Sequence, residues 1–456
     1  MATHRKTPKS LAVVGGGLAG MAAAAAAQAR GWRVELFEQS KTLGGRAGSI
    51  WDATVDERID PGQHVAMGCC TALMDFCRQA GVDDCFERCR RLHFVAPDGR
   101  QFDFAPVGWL PAPLHLLPGL FRLKYLSLGQ RWKIAKTLQK LQKLSQNASL
   151  TVEKEKTFGD WLRNEGQSDL AIDGFWSVVL TSALGETVDR ACWSAACKVF
   201  CDGFLAQRDA SDVLLPKKPL GEIFGDRVGR WLSAQGVTIH CNATVRRIEG
   251  DAIRATKLIL DDGERRSFDA VVVAVPWWNV GAMLADNLRA AMPRLADAAR
   301  LQPAAITAVH FWFDRPITQL PHAVLVGRLG QWVFFSPVGR AKRVGDPSDK
   351  KNYCQVIVSA SHRMPSRTPD EWRAAILDEL RAIWPAVGQA TVLHHRVIVQ
   401  PRAVFSVSPE SDSLRPPQRT PIENLALAGD WTSTGWPGTM EGAVRSGQLA
   451  VDGLVG

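Results

Sequence analysis

A chain of 456 residues with 46% hydrophobic and 22% charged side chains has ordinary globular composition, which excludes a disordered, collagenous or coiled-coil protein as its main class. At roughly 150 residues per domain, the length fits about three domain-equivalents or one large two-domain enzyme. Lys and Arg number 55 against 46 Asp and Glu, leaving +9, a modest excess that suits an acidic ligand or a membrane surface and does not call for nucleic acid.

In chain order, basic residues Met1 to Ser10 come first, with no signal-type cleavage site after them. Ser10 to Val14 (S-L-A-V-V) reads as a short buried strand. A glycine turn and an alanine-rich helix to about Ala29 follow, Gly31 ends the helix, and Trp32 to Phe37 is a second strand closed by Glu38. This is one β-α-β unit. The run Ala22 to Ala27 is too short to cross a membrane, and Gln28 and Arg30 break it. No transmembrane helix is expected.

The turn Gly15-Gly16-Gly17-Leu18-Ala19-Gly20 is a G-x-G-x-x-G between strand and helix. In that pattern the first glycine makes the turn, the second lets backbone approach a pyrophosphate, and the third lets helix and sheet pack closely. The helix N-terminus then faces the phosphates. Glu38 lies 18 residues after Gly20, where a carboxylate accepts hydrogen bonds from ribose hydroxyls and disfavours a 2′-phosphate. Strand, turn, helix, second strand and acid together make the dinucleotide reading specific. NAD and FAD both fit at this point.

From about 76 to 211 the pattern is helical with proline-rich breaks. Pro106 to Pro118 is apolar and proline-broken. Between Ala105 and Val152 stand Arg122, Lys124, Arg131, Lys133, Lys136, Lys140 and Lys143, with no Asp or Glu. Trp109, Leu110, Leu114, Leu116 and Leu117 entering lipid beside those charges would form a monotopic membrane patch; the plain alternative is a solvated helix face. The ten cysteines include no C-x-x-C pair, so no metal site is expected and free thiols in a reducing compartment are the reading. The 16 Trp and 18 Phe against 2 Tyr fit either a Trp-rich core or a greasy substrate tunnel.

From about 212 the α/β pattern returns. Leu220 to Leu232 reads as a helix and 237–240 as a strand. Segments 244–248, 255–260 and 268–276 read as a meander re-entering a parallel sheet. Helices and alternating strands such as Ile306 to Phe313 follow, and Leu425 to Ala428 is a last strand before a glycine-rich turn and a closing helix. The fold class is therefore α/β: a Rossmann-type dinucleotide-binding domain from 8–75, 212–276 and 420–456, FAD-binding on the resemblance that follows, with a discontinuous α+β substrate domain from 76–211 and 277–419.

Leu43-Gly44-Gly45-Arg46-Ala47, soon after Glu38, resembles the second signature of the FAD amine oxidase and phytoene desaturase superfamily. Ala428-Gly429-Asp430-Trp431-Thr432 and Gly435-Trp436-Pro437-Gly438-Thr439-Met440-Glu441-Gly442-Ala443 resemble its C-terminal motif. Asp60-Pro61-Gly62-Gln63-His64, Leu110-Pro111-Ala112-Pro113-Leu114-His115 and that tail resemble one family within it, the squalene-associated FAD-dependent desaturases, or hydroxysqualene dehydroxylases. One departure is visible: Trp436 and Gly438 stand where a smaller apolar residue and Ala are expected.

The resemblance implies non-covalent FAD, held by Gly15, Gly17, Leu18, Ala19, Gly20, Glu38, Gln39, Gly44, Gly45, Arg46, Gly62, His64, Val245, Gly429, Asp430, Gly438, Thr439, Met440 and Ala443. It also implies loss of an allylic hydroxyl from a lipophilic C30 isoprenoid, hydroxysqualene, with hydride from reduced FAD. Such a protein sits in the cytoplasm, peripheral on the inner face of an anionic cell membrane, downstream of hydroxysqualene-producing enzymes. His64, and after it Asp60, are the candidate acids; the alternative is that both only fix a loop. A carotenoid-type desaturase running the flavin the other way is the nearest rival. An amine oxidase is disfavoured because Thr439 replaces the aromatic before Met-Glu-Gly-Ala. A lipid-binding scaffold retaining FAD as a relic is the rival from another class.

Overall fold

A computed structural model describes residues 8–146, 157–335 and 352–455; residues 1–7 and the 147–152 end of the basic stretch lie outside it. Five short strands form a parallel sheet in the order Thr238–His240, Arg33–Phe37, Ser10–Val14, Ala270–Val273, Leu425–Leu427. All five residues of the central strand are buried, as a parallel sheet covered on both faces requires. Period-two alternation divides them. Leu11 and Val13 pack under the alanine-rich helix Leu18–Ala29, whereas Ala12 and Val14 pack with Val245, Ile248 and Leu258 of an antiparallel meander on the opposite face. The strand and turn expectations at 10–14, 237–240, 244–260 and 425–428 correspond to these elements within a residue or two.

Alanine in the first helix has a packing purpose. The closing helix Met440–Val455 lies against it so closely that a Cβ on Gly447 would stand 2.2 Å from the Ala19 carbonyl oxygen. Gly20 serves the same end at the sheet, because a Cβ there would stand 1.9 Å from the Gly15 carbonyl oxygen.

The rest of the chain builds a seven-stranded sheet, in the order Val392–Phe405, Pro303–Phe313, Asn352–Val358, Trp332–Phe334, His322–Leu325, Leu92–Val95, Gln101–Phe104. Helices Leu128–Ser145, Phe158–Asn164, Val178–Leu184 and Trp193–Cys197 pack beside it. The result is a mixed α/β fold.

The helical reading of 76–211 needs correcting. Phe86–Cys89, Leu92–Val95 and Gln101–Phe104 are strands, and Phe86–Cys89 pairs with Val213–Pro216, which also pairs with Ala66–Met67. The signal was local: L-H-F-V and Q-F-D-F alternate, and Pro97-Asp98-Gly99 between them is turn chemistry, with Gly99 at φ +82°. On the tryptophan question the core reading holds for some residues, while others line a cavity. Trp161, Trp176 and Trp193 join Phe158 and Phe200 in a core cluster, with Trp176 4.9 Å from Phe200 between ring centres. Trp332 and Trp436 line a cavity.

Candidate functional site

The carboxyl ends of the parallel strands open into a cavity of about 430 Å³, where ligands of open α/β sheets bind. Gly15 makes the turn at φ +110°, and a Cβ there would meet the Ala274 carbonyl oxygen at 2.5 Å. Gly17 faces open space, with nothing within 4 Å of a Cβ. Glu38 is buried at the strand end, and its carboxylate accepts from the Gly16 N–H (2.7 Å) and the Ser40 N–H (2.8 Å). Those amides fix it at the cavity wall beside Gln39, Ala243, Thr244 and Val245.

Gly44 (φ +114°) and Gly45 (φ +55°) turn the chain back over the glycine loop, and a Cβ on Gly45 would lie 3.2 Å from the Gly17 Cα. Arg46 then reaches across the chain. Its guanidinium donates to the Ala403 carbonyl at 2.9 Å and to the buried carboxylate of Asp430. Gly429, at φ +148°, gives its N–H to Ser446 Oγ at 2.8 Å. Arg415 pins the turn that follows, donating to the carbonyls of Asp430, Thr432 and Trp436 at 3.0, 2.6 and 2.7 Å. Thr439 Oγ1 accepts from the Gly442 N–H at 3.1 Å where the last helix opens.

Of the expected cofactor residues, Gly15, Gly17, Leu18, Ala19, Glu38, Gln39, Gly44, Gly45, Arg46, His64, Val245, Gly429, Asp430, Gly438, Thr439, Met440 and Ala443 line this cavity. Gly20 does not; it packs behind the turn. Gly62 lines a second cavity instead.

This second cavity, about 290 Å³, meets the first at Arg46, His64, Ala403, Val404, Gly438, Thr439 and Met440. Its walls are mainly apolar, with Leu92, Phe94, Val178, Phe204, Trp332, Phe334 and Ile357 among them. The charged side chains it touches are engaged elsewhere. The Glu441 carboxylate accepts from the N–H groups of Ala72 (3.1 Å) and Leu73 (2.7 Å) at a helix start and from Arg445 Nε (2.6 Å). Lys198 pairs with Asp202 at 2.5 Å and stands 4.9 Å over the Trp436 ring.

His64 stands at the junction. Its Nδ1 is 2.8 Å from the Gly62 carbonyl, which only accepts, so Nδ1 carries the proton and Nε2 keeps its lone pair. Burial lowers its pKa from the ordinary value, and the nearby Arg46 charge adds to this against the Gly62 hydrogen bond. At neutral pH it is a hydrogen-bond acceptor.

Asp60 lines neither cavity, which corrects the expectation of a second acid touching substrate. It is buried, takes the Ser49 hydroxyl at 2.5 Å and the Leu220 N–H at 3.0 Å, and ties the 60–64 segment to the start of another helix. With no cation among those partners, burial raises its pKa to about 6, against the lowering pull of Ser49 and Leu220.

Sequence reasoning missed Ala403 and Val404, which line both cavities from the end of the long strand Val392–Phe405. Ordinary apolar strand residues announce no chemistry. It also missed Arg415, a conventional surface residue by type.

The profile of the family described as flavin containing amine oxidoreductase matches residues 18–455. A hydroxysqualene dehydroxylase of Zymomonas mobilis is 26% identical, the match covering 96% of this chain and 97% of that protein. A 15-cis-phytoene desaturase of Glycine max is 23% identical, covering 98% of this chain and 80% of that protein. The crystal structure of an oxidoreductase from Methanosarcina mazei has the same fold, with a TM-score of 0.71 at 18% identity over 97% of this chain and all of that one. The first cavity fits the family's flavin cofactor. Gly17 and Gly45 leave room for a pyrophosphate, Glu38 stands where a ribose would be held, and Thr439 and Met440 open a helix at the other end.

Proposed function

The chain belongs to the flavin containing amine oxidoreductase family, with FAD as its cofactor, and from this we propose that it converts hydroxysqualene to squalene by reductive dehydroxylation. The observation that carries the proposal is the apolar second cavity meeting the cofactor cavity at His64, where Glu441, the one carboxylate among the described residues lining it, is taken up by backbone N–H groups and Arg445. An amine substrate is served by a free carboxylate or a complete aromatic cage; a C30 hydrocarbon needs apolar walls. The match to the dehydroxylase runs end to end, whereas the desaturase is longer than the chain.

The chemistry suits these residues. Bound and reduced, FAD supplies a hydride. The protein must hold the allylic hydroxyl, protonate it as it leaves, and keep water from the delocalised cation. Neutral His64 holds the hydroxyl by a hydrogen bond to Nε2; after taking a proton from solvent, Nε2 gives that proton to the oxygen, which leaves as water. Trp332, Phe334 and Phe94 offer π faces that tolerate positive charge. Thr439 leaves the amine-oxidase cage incomplete. Among the described residues no cysteine lines the cofactor cavity, which supports a flavin held without a cysteinyl link, and we take it to be non-covalent.

Among the described residues no helix is long and apolar enough to cross a membrane. Supply of such a substrate from a bilayer is served by an exposed patch. Trp109, Leu114, Leu128 and Trp132 are 79%, 48%, 62% and 56% exposed, beside exposed Arg122, Lys124, Lys133, Lys136, Lys140 and Lys143. Leu116 is buried and Leu110 and Leu117 half-buried, so Leu128 and Trp132 take their place in the patch. Each basic residue near an anionic surface adds about 1 kcal/mol. The protein then works peripherally on the cytoplasmic face, receiving substrate from hydroxysqualene-producing enzymes.

A second reading, a phytoene-type desaturase, is favoured by one observation: His64 in its neutral form is ready to accept a proton rather than give one. The direction of electron flow separates the two. Anaerobic reoxidation of the reduced enzyme by hydroxysqualene, with squalene formed, supports the first; bleaching of the oxidised enzyme by phytoene supports the second.

A further inference from the structure

All ten cysteines are free, and six of them are buried. Two pairs of thiols touch. Cys197 and Cys201 do so inside the core. Cys69 and Cys70 do so in the wall of the second cavity, both half-buried and both facing its space.

The backbone around the second pair is fixed. A Cβ on Gly68 would lie 1.8 Å from the Asp209 carbonyl oxygen. Cys69 N–H donates to the Ala210 carbonyl at 3.2 Å and Cys70 N–H to the Met67 carbonyl at 2.9 Å. The Met67 N–H donates to Cys70 Sγ at 3.5 Å. The Cys70 sulfur is thus held beside its own backbone turn, and the preceding residue's thiol is its partner. The Cys70 thiol donating to Cys69 holds Cys69 below the ordinary thiol range, while that pairing and burial push Cys70 well up. One thiol is readied as nucleophile and its neighbour keeps its proton.

We propose that Cys69 and Cys70 form a peroxide-oxidisable dithiol site in the wall of the second cavity, passing reversibly to a vicinal disulfide. The Cys69 thiolate attacks one oxygen of hydrogen peroxide. The O–O bond breaks, the second oxygen leaves as water, and Cys69 becomes a sulfenic acid. Cys70 sulfur then displaces the hydroxyl from Cys69 sulfur. A second water leaves and the S–S bond forms. Two thiols lose two electrons and two protons, and one peroxide becomes two waters. Adjacent Cα atoms stand ~3.8 Å apart, closer than the roughly 4.4–6.8 Å of unstrained bridges. The bond is therefore strained and easily reduced, as reversible switching needs.

The test is intact-mass and peptide mapping of the full-length, FAD-loaded protein after one equivalent of hydrogen peroxide. The wild-type chain loses two hydrogens in the peptide holding Cys69 and Cys70 and regains them with dithiothreitol. In Cys70→Ser, dimedone traps a sulfenic acid on Cys69. In Cys69→Ser, neither product forms. A disulfide mapped to Cys197 and Cys201 or to any other pair, or a Cys69→Ser chain that oxidises at Cys70 as fast as the wild type, overturns the proposal. The wild-type map decides even where a variant does not fold, and its readout does not depend on the substrate assigned above.

Discussion

Asp60 and His64 are four residues apart and differ in what their surroundings ask of a proton. Asp60 is buried with a pKa raised to about 6, above the ~3.9 of an unfolded aspartate. The folded state therefore binds the proton more tightly between those values. Stability contributed by this group is present at low pH and is lost as pH rises from ~4 through ~6, by about 3 kcal/mol on the 1.36 kcal/mol per unit scale. Replacing Asp60 with Asn should remove that slope, so the difference in melting temperature between variant and parent grows in the variant's favour from pH 4 to pH 7. An identical pH profile for the two chains would count against it. For His64 the burial and the Arg46 charge act the other way, disfavouring the protonated form. If His64 gives the proton, single-turnover flavin reoxidation should quicken as pH falls below about 6.5, and His64→Ala should slow it and flatten the profile. Both residues became candidates through the resemblance, which holds no information on which side chain faces the cavity. Glu38 and Arg46 were legible because glycine turns and a strand end fix where they emerge. Arg415 was not, because its partners are carbonyls 15 to 21 residues away.

Elements with a local signature were read well, and those defined by distant partners were not. The S-L-A-V-V strand, the glycine turn and the alanine helix follow from sequence within one β-α-β unit. The hairpin Leu92–Val95 and Gln101–Phe104 is the exception: its alternation and turn were local, but strands of four residues each were overridden by the helical pattern of the long stretch around them. The contact between first and last helices was also invisible, although Gly447 and the alanines that permit it were in view. Gly447→Leu should force those helices apart. Overpacking of this kind costs about 1–3 kcal/mol, and here it presses on the helix that opens beside the cofactor cavity. The expected result is a lower melting temperature together with weaker FAD retention on gel filtration. A fully stable variant that retains its full complement of FAD would show that the helices are not coupled to the cavity.

At the scale of the molecule, two cavities meet at one edge, and exposed Trp109, Leu114, Leu128 and Trp132 stand in the same 105–146 stretch as six exposed basic residues. Changing Trp109 and Trp132 to Ser together should weaken binding to anionic vesicles by at least about tenfold, equivalent to 1.4 kcal/mol, while a visible spectrum shows FAD retained. Unchanged flotation with the vesicles would remove the patch from membrane binding. Acid precipitation of the loaded protein should release all its flavin into the supernatant; flavin left in the pellet would mean a covalent link. Fold and cofactor were legible because glycine motifs carry their geometry with them. The second cavity was not, since Ala403, Val404 and Trp332 come from strands that carry no motif. The measurement that bears most directly on function is anaerobic: reduce the bound FAD, add hydroxysqualene, and follow the flavin spectrum together with product mass. The account predicts reoxidation with squalene formed in equal amount. Reduced flavin that persists, with oxidised enzyme bleached instead by phytoene, would contradict it.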